Sequence, residues 1–267
     1  MTPPVDSILI QIGSIPIHWY GILVVTGILL GTQVASYLAK RDGEDPEHIW
    51  DMLLVAVIFG IIGARIEYVL VKPHWAYFQQ NPVEALKIWN GGLRIYGAII
   101  GGALGTLVYT WVTKVNPLQY MDFAAPGMAM GHAIGRWGNF INYELYGPPT
   151  NSSWGLLIPA EYRIGQYRDI NLYPLDTLFH PAFLYESIAN LLLCIILLYI
   201  ADRFRGKIRH GTIVIGYLIG YSIIRFLMDY MRTDGTSAQG IALGFIIASS
   251  ALLVAWYIPR KKSESGT

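Results

Sequence analysis

The side chains best equipped for chemistry in this chain crowd into residues 135–147, GRWGNFINYELYG, where Arg136, Asn139, Asn142 and Glu144 stand among Gly135, Gly138 and Gly147. Arginine presents five N–H donors in a planar fork that matches two oxygens of a phosphate or carboxylate. Asparagine amides beside it, with backbone N–H groups freed where the glycines interrupt a helix, would cradle an oxyanion. A structural turn is the competing reading of the same residues. Related mixtures of aromatic and ionisable residues recur at HWYG (His18, Tyr20), GGLRIYG (Arg94, Tyr96), HPAFLYE (His180, Glu186) and the run Arg225, Asp229, Arg232. Arg225 and Asp229 are four apart, so they share a helix face and can pair, as a structural salt bridge or as part of a site. Arg65 and Glu67 are two apart and point to different faces, so each needs a partner on another helix.

The elements that must position these groups are membrane spans. Of 267 residues 54% are hydrophobic and 14% charged, against roughly 25% charged in a soluble domain. Seven stretches, approximately 20–38, 52–71, 96–112, 121–134, 182–200, 212–230 and 241–258, approach the roughly 20 apolar residues that a crossing needs. The expected fold is therefore all-α and polytopic, with about seven transmembrane helices in a single domain covering residues 1–267. The fourth stretch is the shortest, and its Gly127, Gly131 and Gly135 suit close helix packing. Ionisable residues inside spans are few and, because they are costly there, mark functional sites by default. The net charge of +1 offers no field for nucleic acid. The one cysteine, Cys194, sits among Leu193, Ile195 and Ile196 and reads as a buried structural residue. Residues 1–16 lack the basic and apolar regions of a cleaved signal, so the first span is expected to be retained.

Lys and Arg of short loops stay on the cytoplasmic side. The denser set is Lys40, Arg41, Lys114, Arg203, Arg205, Lys207, Arg209, Arg260, Lys261 and Lys262. The sparser set is Lys72, Lys87, Arg94, Arg163, Arg168 and Arg232. This places the C-terminus in the cytoplasm and the N-terminus outside. The one long connection expected, residues 136–179, then forms a small extracytoplasmic head or lid between the fourth and fifth spans. The HWYG, GGLRIYG and HPAFLYE segments fall at the same interface. No internal repeat is visible, which counts against a transporter built from duplicated halves.

The segment GRWGNFINYELYG resembles the signature of the prolipoprotein diacylglyceryl transferases, G-R-x-G-N-F-x-N-x-E-x-x-G, with every fixed position filled. HWYG, GGLRIYGAIIGG, HPAFLYE and R-x-x-x-D-x-x-R follow in the family's order, so the likeness covers nearly the whole chain. It implies a multi-pass enzyme of the bacterial inner membrane. Such an enzyme moves diacylglyceryl from phosphatidylglycerol to the lipobox cysteine of a preprolipoprotein signal peptide, forming a thioether and releasing glycerol phosphate. No cofactor or metal is implied, and the partners are those two substrates and the surrounding membrane lipids. The resemblance assigns phosphatidylglycerol binding to Arg136, with Asn139, Asn142, Glu144 and Gly147 shaping the pocket. It makes Arg225 an essential arginine and Tyr20 an important tyrosine. His18, His180, Glu186 and Arg232 complete the expected substrate-binding set. Two departures stand out: Tyr96 where many members carry a His, and Asp229 where Glu is frequent. A phenol with an ordinary pKa near 10 is a poor base unless cations lower it. The base that activates the thiol is left open among Tyr96, Glu144 and Asp229. A lipid flippase or transporter and a non-catalytic scaffold are the other classes that the same composition would fit.

Overall fold

A computed structural model describes residues 1–2, 7–13, 15–72, 74–233 and 239–257. Arg260, Lys261 and Lys262, used above to orient the chain, and Ile258, the expected end of the last span, lie outside the described residues. The protein is mostly helical. Among the described residues, six helices are long and apolar enough to cross a membrane: α1 (Trp19–Arg41), α2 (Glu47–Leu70), α4 (Ile95–Thr113), α6 (Ala182–Arg203), α7 (Thr212–Asp229) and α8 (Gln239–Tyr257). The short α3 (His74–Gln80) precedes α4. The fourth expected span falls on α5 (Pro117–Ile141), which is not among the six. Asp122, His132, Arg136 and Asn139 on this helix hold its hydropathy down.

Three expectations need correction. Gly135 and Gly138 do not interrupt the helix: α5 runs to Ile141, and the chain turns only at Tyr143 and Leu145, both with positive φ. The connection to α6 therefore begins at Asn142 rather than Arg136. It is also not the only long one, since residues 71–94 between α2 and α4 fold into α3 and two 3-10 turns, Pro82–Leu86 and Ile88–Asn90.

The chain divides into two compact units, Met1–Val34 with Ala124–Thr267, and Ala35–Phe123. In the second unit α2 and α4 meet backbone to backbone. A Cβ at Gly63 would lie 2.2 Å from the Gly97 carbonyl oxygen, and one at Gly101 would lie 2.2 Å from that of Phe59. Glycines one turn apart thus let two apolar helices approach closely without any hydrophobic drive from lipid. Arg65, 8% exposed, closes the top of this pair. It does so against backbone carbonyls of the connection that follows α2 rather than against a partner on another span. Its guanidinium donates to the carbonyls of Glu84 (2.6 Å), Ala85 (2.8 Å), Lys87 (3.3 Å), Gly91 (2.7 Å) and Gly92 (3.2 Å). Glu67 does reach another helix, accepting the Gly97 N–H at 2.5 Å and pairing with Arg94 at 3.0 Å. A carboxylate there meets the positive end of α4.

In the first unit α1 and α5 use the same device. A Cβ at Gly31 would lie 2.5 Å from the Gly127 carbonyl oxygen, and one at Gly127 would lie 2.1 Å from that of Gly31. Gly27 and Gly131 face each other one turn along, as the small-residue spacing anticipated. Gly135 meets nothing within 4 Å. Ala125 and Ala129 of α5 pack with Leu193, Cys194 and Leu197 of α6 and Ile213 and Tyr217 of α7, so Cys194 is a core residue. Strands β1 (Ile8–Ile12) and β2 (Ile15–His18) form an antiparallel hairpin that leads into α1.

The connection from α5 to α6 carries the antiparallel strands β3 (Leu156–Leu157) and β4 (Leu178–Phe179) over a small core of Tyr146, Leu156, Ile158, Phe179 and Phe183. Arg163, fully buried, holds it together through the carbonyls of Ile158, Tyr173, Pro174 and Leu175. Its guanidinium also lies 5.2 Å from the Phe179 ring centre.

Alanine at Gly127 would drive its methyl into the Gly31 backbone, so Gly127→Ala should lower the melting temperature in detergent by several degrees. Gly135→Ala should leave it unchanged or raise it, because alanine favours a helix over glycine by about 1 kcal/mol and has room there. Thermal unfolding followed by circular dichroism separates the two.

Candidate active site

The site grows from the last two turns of α5. Arg136, Asn139 and, just past the helix, Asn142 recur every three residues and so fall along one side of it. Asn139 is 6% exposed. The Arg136 Nη1 donates to Asn139 Oδ1 at 3.0 Å. Asn139 Nδ2 in turn donates to Glu144 at 3.2 Å, and Asn142 Nδ2 donates to the other Glu144 oxygen at 3.3 Å. The turn that brings Glu144 back onto the helix is fixed by its N–H, which donates to the Asn139 carbonyl at 2.9 Å. The backbone N–H groups expected to be free in this segment are therefore taken. Those of Asn142, Tyr143, Glu144 and Gly147 donate to Gly138, Phe140, Asn139 and His180 respectively. An anion here would meet side chains, chiefly the guanidinium.

That guanidinium has a second partner. Arg136 Nη2 lies 2.5 Å from Glu186 Oε1, in the second turn of α6, whose side chain is 7% exposed. The helices that carry the pair are pinned beside it, with Ser187 Oγ donating to the Ala133 carbonyl at 2.7 Å. On α7, Tyr217, Tyr221, Arg225 and Asp229 are spaced by four and line one face. Arg225 Nη2 stands 3.8 Å from Asp229 Oδ1, an ion pair too long for a hydrogen bond. Tyr221 lies within electrostatic reach of Arg136, Arg225 and Glu186, so α5, α6 and α7 converge on one phenol. Its ring packs 4.6 Å from that of His132, one turn before Arg136 on α5. The Tyr20 ring lies over Gly138, where a Cβ would come within 2.5 Å of it. That contact explains a glycine two residues beyond the arginine.

Other predicted residues have different places. Gly147 belongs to the strand-like return, its N–H donating to the His180 carbonyl at 2.8 Å, and a Cβ there would collide with His180. His180 Nδ1 is 3.1 Å from the Tyr185 hydroxyl, which also accepts from Trp154 Nε1. His18, at the end of β2, is exposed and pairs with Ile8 through the backbone. The Arg232 N–H donates to the Asp229 carbonyl at 3.2 Å just beyond α7. Tyr96 belongs to the other unit, in the first turn of α4, and is 64% exposed. Glu144 is exposed, whereas the Asp229 side chain is 2% exposed. Above the helix ends, Tyr146 accepts the Ile164 N–H at 2.7 Å, and burial pushes its phenol above the ordinary value.

A site of two arginines, each with its own carboxylate, on α5 and two helices apolar enough to span a membrane suits an anionic group carried by a lipid. Residues 7–258 match the family model described as prolipoprotein diacylglyceryl transferase. The chain belongs to this family. A phosphatidylglycerol–prolipoprotein diacylglyceryl transferase of Chloroflexus aggregans is 40% identical over 250 residues, covering 90% of this chain and 81% of that protein. Proteins of the same name in Trichormus variabilis and Listeria monocytogenes are 36% and 38% identical, over 96% and 94% of this chain and 90% of each of those proteins. Six apolar helices and this family make the chain a multi-pass membrane protein.

Reasoning from sequence missed Tyr221 and His132. The spacing of four along α7 from Tyr217 to Asp229 was the available signal for Tyr221. Nothing in one sequence distinguished His132 from a core histidine, because its neighbours come from α7.

Because Arg163 uses its whole fork on backbone carbonyls, lysine cannot replace it. Arg163→Lys should open residues 142–181 to limited proteolysis while the helices stay folded by circular dichroism.

Proposed function

We propose that this chain transfers the diacylglyceryl group of phosphatidylglycerol to the lipobox cysteine thiol of preprolipoproteins, the first step of bacterial lipoprotein maturation. The observation that carries the reading is the pair of arginines, each beside a carboxylate on the α5–α7 helices, with Arg136 2.5 Å from Glu186 and Arg225 3.8 Å from Asp229. The thiolate sulfur attacks the glyceryl carbon that bears the phosphate ester. The S–C bond forms, the C–O bond breaks, and the electron pair leaves on the phosphate of glycerol phosphate, which finally takes up the proton lost by the thiol. Arg136 and Arg225 bind the phosphate and stabilise the charge that grows on it, in a setting poor in water where such contacts are strongest. Tyr20, its ring seated on Gly138, is assigned the part of an orienting hydroxyl. Asn139 and Asn142 hold Arg136 and Glu144 in register, and Gly147 and His180 support that turn from behind. His18 and Arg232 flank the substrate region. Glu144, accepting from two amides, and Asp229 are bases within this unit, and Tyr96 is the third named for the role.

The topology fits seven crossings, with α5 as the fourth. Its 25 residues reach roughly 37 Å at 1.5 Å per residue, enough for a hydrocarbon core of about 30 Å. Arg136 and Asn139 on it have protein partners, which helps a helix of low hydropathy to cross. The antiparallel glycine contacts of α1 with α5 and of α2 with α4 suit this order. In the inner membrane the N-terminus is then extracytoplasmic, the C-terminus cytoplasmic, and the connection from α5 to α6, residues 142–181, holds the head over the substrates.

The deciding experiment measures transfer of labelled glyceryl lipid from phosphatidylglycerol to a synthetic lipobox peptide by purified protein, with a Cys→Ser peptide as control. Labelling should depend on the cysteine and vanish in Arg136→Ala; a folded preparation that labels nothing would shift the reading to lipid transport. Arg136→Lys should lower kcat/KM by roughly tenfold or more, since an ammonium cannot keep the fork's two contacts. Tyr96→Phe tests the phenol as base: full activity would remove it, and a loss of about a hundredfold would retain it.

A further inference from the structure

We propose that Glu186 is the displaceable counter-ion of Arg136, holding the guanidinium until the donor's phosphodiester takes its place and reclaiming it as the phosphate product departs. The inference rests on the reading of Arg136 as a phosphate-binding residue. A carboxylate 2.5 Å from that guanidinium has the wrong charge to bind the same phosphate, so the two compete for one fork. The carboxylate belongs to the unliganded state. There it removes the penalty of a lone cation among apolar helices, a penalty that any anion of similar geometry can remove equally well. Carboxylate and phosphate both offer two oxygens to the fork, so the exchange keeps charge and hydrogen-bond count.

The surroundings allow the exchange to be a side-chain movement. The Ser187–Ala133 hydrogen bond fixes α6 against α5, and Asn190 Nδ2 holds the Glu186 carbonyl at 2.8 Å, so the backbone under Glu186 is anchored on both sides. The two arginines also differ in how firmly they are held. Arg225 stands 3.8 Å from Asp229, whereas Arg136 is in full contact with Glu186. A phosphodiester therefore meets Arg225 first and then competes with Glu186 for Arg136. Tyr221, near both arginines and Glu186, stands where the exchange happens. Glu186 acts through Arg136 and is a positioning residue.

The test compares wild type, Glu186→Gln and Glu186→Asp as purified full chains in detergent. It measures kcat, the KM for phosphatidylglycerol and the inhibition constant of glycerol phosphate. With the competitor neutralised, Glu186→Gln should bind glycerol phosphate on the order of tenfold more tightly and show a lower KM, while kcat falls because the product is held. Glu186→Asp, with its charge kept on a shorter arm, should fall between. A merely structural Glu186 predicts the opposite, weaker binding and raised KM in both variants. An inhibition constant unchanged or raised in Glu186→Gln overturns the proposal. If that variant is not recovered folded, Glu186→Asp decides by the same criterion. A wild type without cysteine-dependent transfer defeats the activity itself, whereas an active wild type with unaffected inhibition defeats only the role of Glu186.

Discussion

A guanidinium carried on helices that face hydrocarbon must be matched by an anion or by carbonyls, because no bulk water is there to solvate it. That constraint organises the first unit. Arg136 cannot stand on α5 without Glu186 from α6, and α6 cannot present Glu186 unless its backbone is held close, as the Ser187 bond to Ala133 does. The other face of α5 must meanwhile touch α1, which it does through Gly127 and Gly131. The cation near the end of α5 is thus neutralised by one neighbouring helix while the glycines of the same helix touch another.

The buried arginines divide by the kind of partner they keep. Arg65 and Arg163 spend their donors on backbone carbonyls and hold two connections in shape. A carbonyl cage has no net charge to exchange and cannot leave without unravelling the chain that supplies it, so these arginines are structural. Arg136 and Arg225 keep carboxylates, which are charged, swing on side chains and can be replaced by another anion. The distinction explains why an intramembrane arginine is a poor indicator of function until its partners are known.

Glycine has a similarly divided role. At Gly63, Gly101, Gly31 and Gly127 the absence of a side chain lets backbones touch, and at Gly138 it lets the Tyr20 ring from α1 settle against the helix. At Gly147 it admits the chain that returns to α6. The glycines of the signature segment therefore do not loosen the helix to expose amides. They make room, and the anion-binding capacity passes to side chains.

The amino-acid sequence by itself determined the membrane character, six of the helices, the close packing of α5 through Gly127 and Gly131 and the family, because hydropathy, spacing and a dense motif are local properties of the chain. It also marked Arg136, Asn139, Asn142, Glu144, Arg225 and Asp229, since polar residues of those types are rare in apolar surroundings. Only the tertiary structure decided what each one meets. It extended α5 through Gly135 and Gly138, gave Arg65 a carbonyl cage, set Glu186 against Arg136, and brought Tyr221 and His132 to the arginines. It placed Tyr96 on α4 in the other unit, exposed. Those outcomes depend on which helix faces which, and that is fixed by the joint need to bury glycine seams and neutralise charge across helices far apart in the chain. No local pattern encodes that requirement.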